Sequence, residues 1–312
     1  MSAEPASRTP PTPAPTATAA KGAGGPTGGG FEPADALTGP DPVPGSALRR
    51  ELRAAHALVY RECLRLLSLR LHTVIIVLEP AVYLVALGGG LSGLIPSETV
   101  GGDYKTFLFP GILAIAVQAP AMSVGIRLIM DRENGYLRET LMAPVRRSTL
   151  LCGHCLGGTL MATAQGAMLL LVSGAVGIPY RPVLFLLLML GMVVTAFAYT
   201  TFTLALAVHI RRVETFNTLL GLVTMPLLFL SGVFFPLTAL PRWLAVPAAL
   251  NPLSYAVDAM RRCIAGQVPG LTAPKGPAWA GRQLPVPLEW GLLAALGTGA
   301  LCWAAYRFGR PE

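Results

Sequence analysis

Six apolar stretches, at residues 72–94, 107–129, 150–178, 183–208, 215–235 and 288–306, punctuate this chain. A helix needs about 20 residues, at 1.5 Å of rise each, to cross a bilayer, and every stretch meets that length. The reading is an all-α integral membrane protein with six transmembrane helices. Composition agrees, since 53% of the 312 residues are hydrophobic and only 13% are charged, well outside the usage of soluble domains. The net charge of +8 does not mark a nucleic-acid binder, because Lys and Arg are dispersed among the apolar stretches rather than gathered on one face. Five scattered cysteines imply no disulfide framework. Cys152, His154 and Cys155 resemble half of a zinc site, but no second half follows and no metal is expected.

Between the second and third stretches lies a polar island, MDRENGYLRETLMAPVRRS, residues 130–148. Neither neighbouring stretch could hold its charges in hydrocarbon, so the island faces water. Leu137, Leu141 and Met142 share one side of a short amphipathic helix, with Arg138 and Glu139 on the other and Pro144 at its end. Such a helix can dock on a partner; a solvated charged loop is the plainer alternative.

Residues 1–45 are rich in Pro, Ala, Gly and Thr and poor in large apolar side chains, which predicts a disordered tail. From 46 to 71, Leu48, Leu52, Ala55 and Val59 recur at helical spacing among six arginines. That pattern suits either an amphipathic helix on an anionic leaflet or a helix leading into the first span. The insert at 236–287 is interrupted by Pro241, Pro247, Pro252, Pro269 and Pro274, leaving pieces too short to span. They fit helices that enter the membrane partway and turn back, which requires protein to shield their exposed backbone. Within it, Asn251 and Pro252 read as the cap and first turn of a helix. Ser254, Tyr255 and Asp258 form its more polar side, with Ser254 open to the outer medium and Arg261 and Arg262 close to Asp258.

With the amino terminus inside, only Lys105, Arg181, Arg242, Arg261, Arg262, Lys275 and Arg282 of the 24 basic residues fall on the outer side. The positive-inside rule therefore places both termini and the 130–148 island in the cytosol.

The sequence contains no Gly-rich phosphate loop ending in Gly-Lys-Ser/Thr, so it is not expected to hydrolyse ATP. The island at 130–148, the run LSGVFFPLTALPRWL at 230–244 and NPLSYAVDAMR at 251–261 together resemble the type-2 permeases of ATP-binding cassette exporters. The likeness is greatest to the branch that includes nodulation-factor and daunorubicin-type exporters, and it covers residues 50–308. The resemblance implies a plasma-membrane permease that is not itself an enzyme and binds no cofactor. ATP and Mg belong to a separate cassette ATPase, and two permeases work with two ATPases. It also implies that Glu133, Asn134, Gly135, Leu137 and Arg138 meet that ATPase, and that Asn251, Pro252, Tyr255, Asp258 and Arg261 belong to a re-entrant gate.

Glu79, beside Pro80 in the first stretch, departs from that pattern. An ionisable group within a span is costly, roughly 2.5–3.5 kcal/mol on insertion scales, so Glu79 should face a cavity or a cation such as Arg70 or Arg127. It reads either as a structural, protonated carboxyl or as a contact for cationic cargo, and Tyr83 joins it as a candidate substrate-path residue. Aromatic residues are only 7% of the chain, which favours amphipathic drug-like or lipid-like cargo over glycolipid or polysaccharide. An ion-coupled transporter would need charged relays in several spans. An intramembrane serine protease built on Gly90, Leu91, Ser92 and Gly93 would need a base, and His154 and His209 lie at the opposite, cytosolic ends of their stretches.

Overall fold

The computed structural model describes residues 60, 64, 70–135, 147–279 and 282–309. The amino-terminal tail, nearly all of the 46–71 segment and residues 136–146 of the island lie outside the described residues, and with them Leu137 and Arg138. All of the described residues belong to one unit by their internal contacts.

In chain order the helices are α1 (Arg70–Gly90), a single turn α2 (Ser97–Val100), α3 (Tyr104–Glu133), α4 (Arg147–Leu170), α5 (Pro182–His209), α6 (Val213–Leu230), α7 (Arg242–Leu250), α8 (Pro252–Ala265) and α9 (Val286–Gly309). Between α8 and α9 lies the one pair of strands among the described residues: β1 (Ala278–Trp279) runs antiparallel to β2 (Arg282–Gln283), with Ala278 opposite Gln283. The helix starts follow the sequence. Asp103 caps α3 by accepting from the Lys105 amide at 3.3 Å, and Pro182 and Pro252 open α5 and α8, where the missing N–H is no loss.

By length and composition, four of these helical runs can cross a membrane: Ser97–Glu133, Pro182–His209, Val213–Leu230 and Val286–Phe308. The first apolar stretch forms α1, which stops at Gly90 rather than at residue 94 because three glycines in a row weaken its end. The third stretch is helical only as far as Leu170, and beyond it Ser173–Val176 forms a 3-10 turn closed by Gly177 at φ 82°. The fifth stops at Leu230, before the Ser231–Gly232 turn, where Gly232 takes φ 75°. The interrupted insert is helical only in α7 and α8 among its longer pieces; residues 266–277 pass to the hairpin without regular structure.

Helix α3 is the centre of the core. Nearly every residue from Tyr104 to Gly125 is buried, and α1, α4, α5, α6 and α8 all pack against it. Small residues permit these close approaches. A Cβ on Gly158 of α4 would lie 2.4 Å from Val124 and 3.0 Å from Thr200, and one on Gly125 of α3 would lie 2.9 Å from the Thr203 carbonyl.

The connections gather at two ends. At one, the Tyr104 hydroxyl donates to the Phe234 carbonyl, Thr106 to the Val176 carbonyl, Arg181 to the Gln267 carbonyl, and the Thr272 amide to the Gly101 carbonyl. At the other, Arg132 and Glu133 reach Val208 and Val213, and the rings of His209 and Trp303 stack 6.2 Å apart. The six long helices among the described residues therefore alternate in direction.

Candidate functional site

The insert is built on the end of α6. A helix leaves its last four carbonyls without intrahelical partners, and α8 supplies partners for two of them. Asn251 Nδ2 donates to the Leu227 carbonyl at 2.7 Å, and Ser254 Oγ donates to the Leu230 carbonyl at 3.3 Å and to the Ala248 carbonyl at 2.8 Å. Asn251 also caps its own helix, its Oδ1 accepting from the Leu253 amide at 3.0 Å. The Tyr255 hydroxyl donates back to the Ala249 carbonyl at 2.6 Å. Arg261, nearly two turns further along, donates to the Gly232 carbonyl at 2.8 Å and to the Phe107 carbonyl at 3.4 Å. Its guanidinium also lies 3.8 Å over the Phe107 ring.

The polar side of α8 therefore faces protein. Asn251, Ser254, Tyr255, Asp258 and Arg261 are all buried, whereas Pro252 is exposed. This corrects the expectation for Ser254, which is fully enclosed. The apolar side is enclosed as well, with Leu253, Val257, Met260 and Ile264 all buried, so α8 is surrounded by protein on both sides.

A second group of charges ties α8 to α9. Arg262 Nε is 2.9 Å from Asp258 Oδ2, its Nη2 pairs with Glu289, and its Nη1 donates to the Leu284 carbonyl at 2.7 Å. The Gly276 backbone lies against Asp258 so closely that a Cβ there would sit 2.1 Å from the carboxyl carbon. At 14 residues, α8 is too short to cross a bilayer. On it, burial pushes the Asp258 carboxyl above the usual carboxylate range, opposed by Arg262 and then by Arg261. Burial also lowers Arg261, to about 10, opposed first by Asp258. The spacing of Asp258 and Arg262 was legible; Glu289 was missed. Its signal was an acidic residue inside the 288–306 stretch, the same kind that singled out Glu79.

Glu79 and Tyr83 lie on one side of α1 and line a cleft of about 300 Å³ between α1, α3 and α6, with Gln118, Met122, Met225 and Phe229 on its other walls. Glu79 is exposed, and its polar contact among the described residues is the Tyr83 hydroxyl at 3.5 Å. Arg127 instead donates to the Ser123 hydroxyl on its own helix at 2.7 Å, and the Arg70 side chain lies outside those described. Helix α1 continues through Pro80.

Glu133 and Asn134 end α3, and Gly135 follows at φ 78°. Glu133 Oε1 accepts from the Val213 amide at 3.2 Å, so the last residue of α3 caps the first turn of α6. The candidate residues thus occupy three places: the insert, the α1 cleft, and the end of the bundle where the island begins.

Residues 53–264 match the family model for ABC-2 type transporters. The chain is a member of the ABC-2 type transporter family. The matched region runs from before α1 to the last turn of α8 and takes in the first half of the insert, the cleft and Glu133. This ABC-2 chain is 28% identical over 191 residues to ycf38 of Cyanophora paradoxa, named as a transport permease; the match covers 59% of this chain and 65% of that protein. It is 29% identical over 191 residues to nodulation protein J of Rhizobium leguminosarum bv. trifolii, covering 60% and 72%. The inner membrane transport permease YadH of Escherichia coli K12 is 25% identical over 174 residues, covering 55% and 68%. The match spans just under two thirds of the ycf38 relatives. The family is one of transport permeases, and the apolar helices make this member an integral membrane protein.

Proposed function

We propose that this chain is the membrane-spanning subunit of an ABC exporter that moves an amphipathic drug-like or lipid-like substrate out of the cell. ATP, with Mg, is bound and hydrolysed by a separate cassette ATPase. Two copies of the permease pair, each engaged by one ATPase. All six long helices span the plasma membrane, both termini are cytosolic, and α7 and α8 enter the outer leaflet and turn back as a gate.

The observation that carries this reading is the family match across residues 53–264 in a chain whose sequence has no phosphate loop. The alternating helices support the topology, since the turns after α3 and α5 meet at one end through Glu133 and Val213. Glu133, Asn134, Gly135, Leu137 and Arg138 form the ATPase contact at that end. Glu79 and Tyr83 line the substrate path, and the carboxylate favours cargo with a positive charge.

The test is ATP turnover by the purified permease alone and after assembly with its ATPase chain. The expected result is none from the permease and substrate-stimulated turnover from the complex. Turnover by the isolated permease, free of contaminants, contradicts the reading.

A further inference from the structure

Helix α5 has 28 residues, a length of about 42 Å at 1.5 Å of rise each, whereas the hydrocarbon of a bilayer is about 30 Å thick. Its ends therefore reach the lipid headgroups, and α9 finishes beside one of them. There the His209 ring stacks on the Trp303 ring, with 6.2 Å between centroids and 12° between planes, and the Arg307 guanidinium lies 5.8 Å from the Trp303 centroid. All three residues are exposed. They stand where two lipid-facing stripes end, since Phe202 lies two helical turns before His209 and Leu296 two turns before Trp303, and both are about half exposed.

The polar atoms of this stack are open to a ligand. His209 Nδ1 donates to the Ala205 carbonyl at 2.8 Å, which leaves Nε2 for another partner. Arg307 pairs with no carboxylate among the described residues. The carboxylates described at this end belong to other helices: Asp131 and Glu133 to α3, where Glu133 accepts from the Val213 amide, and Glu214 to the first turn of α6. Arg211 and Arg212 follow His209 and are exposed. A cation without a counter-charge at the headgroup level draws an anion, and an aromatic ring beside it favours one that is partly apolar. Because the two rings and the guanidinium already hold one another, a headgroup docks on them without the full entropy cost of ordering three side chains.

We infer that the paired ends of α5 and α9 bind one anionic phospholipid, whose phosphate meets the Arg307 guanidinium and whose glycerol and first acyl carbons lie against the His209–Trp303 stack. A guanidinium suits a phosphate because two of its N–H groups donate side by side. A zwitterionic lipid fits less well, since its own ammonium meets Arg211, Arg212 and Arg307 with like charge. The site needs α5 and α9 to cross a bilayer, but not a given orientation, cargo or ATPase, so its test uses none of these.

The test is native mass spectrometry of the full-length permease in detergent, offered phosphatidylglycerol and phosphatidylcholine with the same acyl chains at equal concentration. Phosphatidylglycerol is expected to be retained in preference, one molecule per chain. Arg307→Gln is expected to lower that retention about fivefold, the factor that one cation supplies near an anionic lipid. Arg307→Lys restores part of it, and Trp303→Ala lowers it as well. Lys275→Gln, an exposed cation at the opposite end of the bundle, leaves it unchanged. Equal retention of the two lipids, or retention unchanged in Arg307→Gln, overturns the proposal in favour of bulk lipid. An equal loss in Lys275→Gln overturns it in favour of general attraction to a basic protein. Displacement of the lipid by an equal concentration of glycerol 3-phosphate overturns it in favour of a soluble anion. Arg307 is exposed near the end of α9, so a melting midpoint unchanged in Arg307→Gln ties the loss to the site if Trp303→Ala fails to fold.

Discussion

The Arg261 guanidinium lies 3.8 Å over the Phe107 ring while it donates to the Gly232 carbonyl just after α6. One side chain therefore joins α8, α3 and the turn after α6. The planar fork permits both contacts, and a lysine ammonium could not make them together. Arg261→Met is expected to lower stability by about 2–4 kcal/mol, from a lost charged hydrogen bond and a lost cation–π contact. Arg261→Lys should recover only part of that. Denaturation of the detergent-solubilised variants checks the order.

Arg262 stands between Asp258 and Glu289, both buried. Arg262→Gln leaves two carboxylates facing each other and should destabilise by about 3–5 kcal/mol, the scale of breaking a buried ion pair. Asp258 contributes to the pH dependence together with the Glu289 carboxyl that it faces. The Asp258 carboxyl is raised by burial in the folded chain, so the protonated form favours folding. That contribution is complete below the ordinary carboxylate range and is lost as pH rises through the higher folded value. Thermal melts of Asp258→Asn against pH should be flatter than wild type over that window.

Much of this arrangement was legible beforehand because spacing and caps are local. Asn251 and Pro252 marked the start of α8, and the four-residue interval from Asp258 to Arg262 predicted their pairing. What escaped was set by distant partners. Glu289 lies 31 positions after Asp258, and nothing local ties the two together. The burial of Ser254 depends on the carbonyls of Ala248 and Leu230, which belong to other helices. Ends such as Leu170 were overrun because hydropathy continues past the last helical residue, whereas Gly177 turns the backbone.

Gln165 in α4 is buried, and neither end of its amide has a protein hydrogen-bond partner. Gln165→Met keeps the volume and removes both polar atoms. It should stabilise the permease by about 1–3 kcal/mol if the amide has no structural role, read as a higher midpoint in the same denaturation assay.

Glu79 gives a test of cargo. In the exposed cleft beside Tyr83 its charge can meet a cation directly. Glu79→Gln is expected to reduce export of cationic amphiphiles several-fold and to spare neutral ones of similar size, measured by efflux at matched protein levels. Equal export of both by the variant removes Glu79 from the substrate path.

The contact between Glu133 and Val213 is where the end of α3, the start of the polar island and the first turn of α6 come together, so it tests most directly whether a separate ATPase drives this permease. The measurement is substrate flux together with ATP hydrolysis in sealed vesicles holding the permease and its ATPase, for wild type and Glu133→Arg. The account predicts coupled flux and hydrolysis for wild type, no flux when the ATPase is omitted, and continued hydrolysis with little flux for Glu133→Arg, whose insertion and pairing are unchanged. Flux by the permease alone, sustained by an ion gradient without ATP, would contradict it.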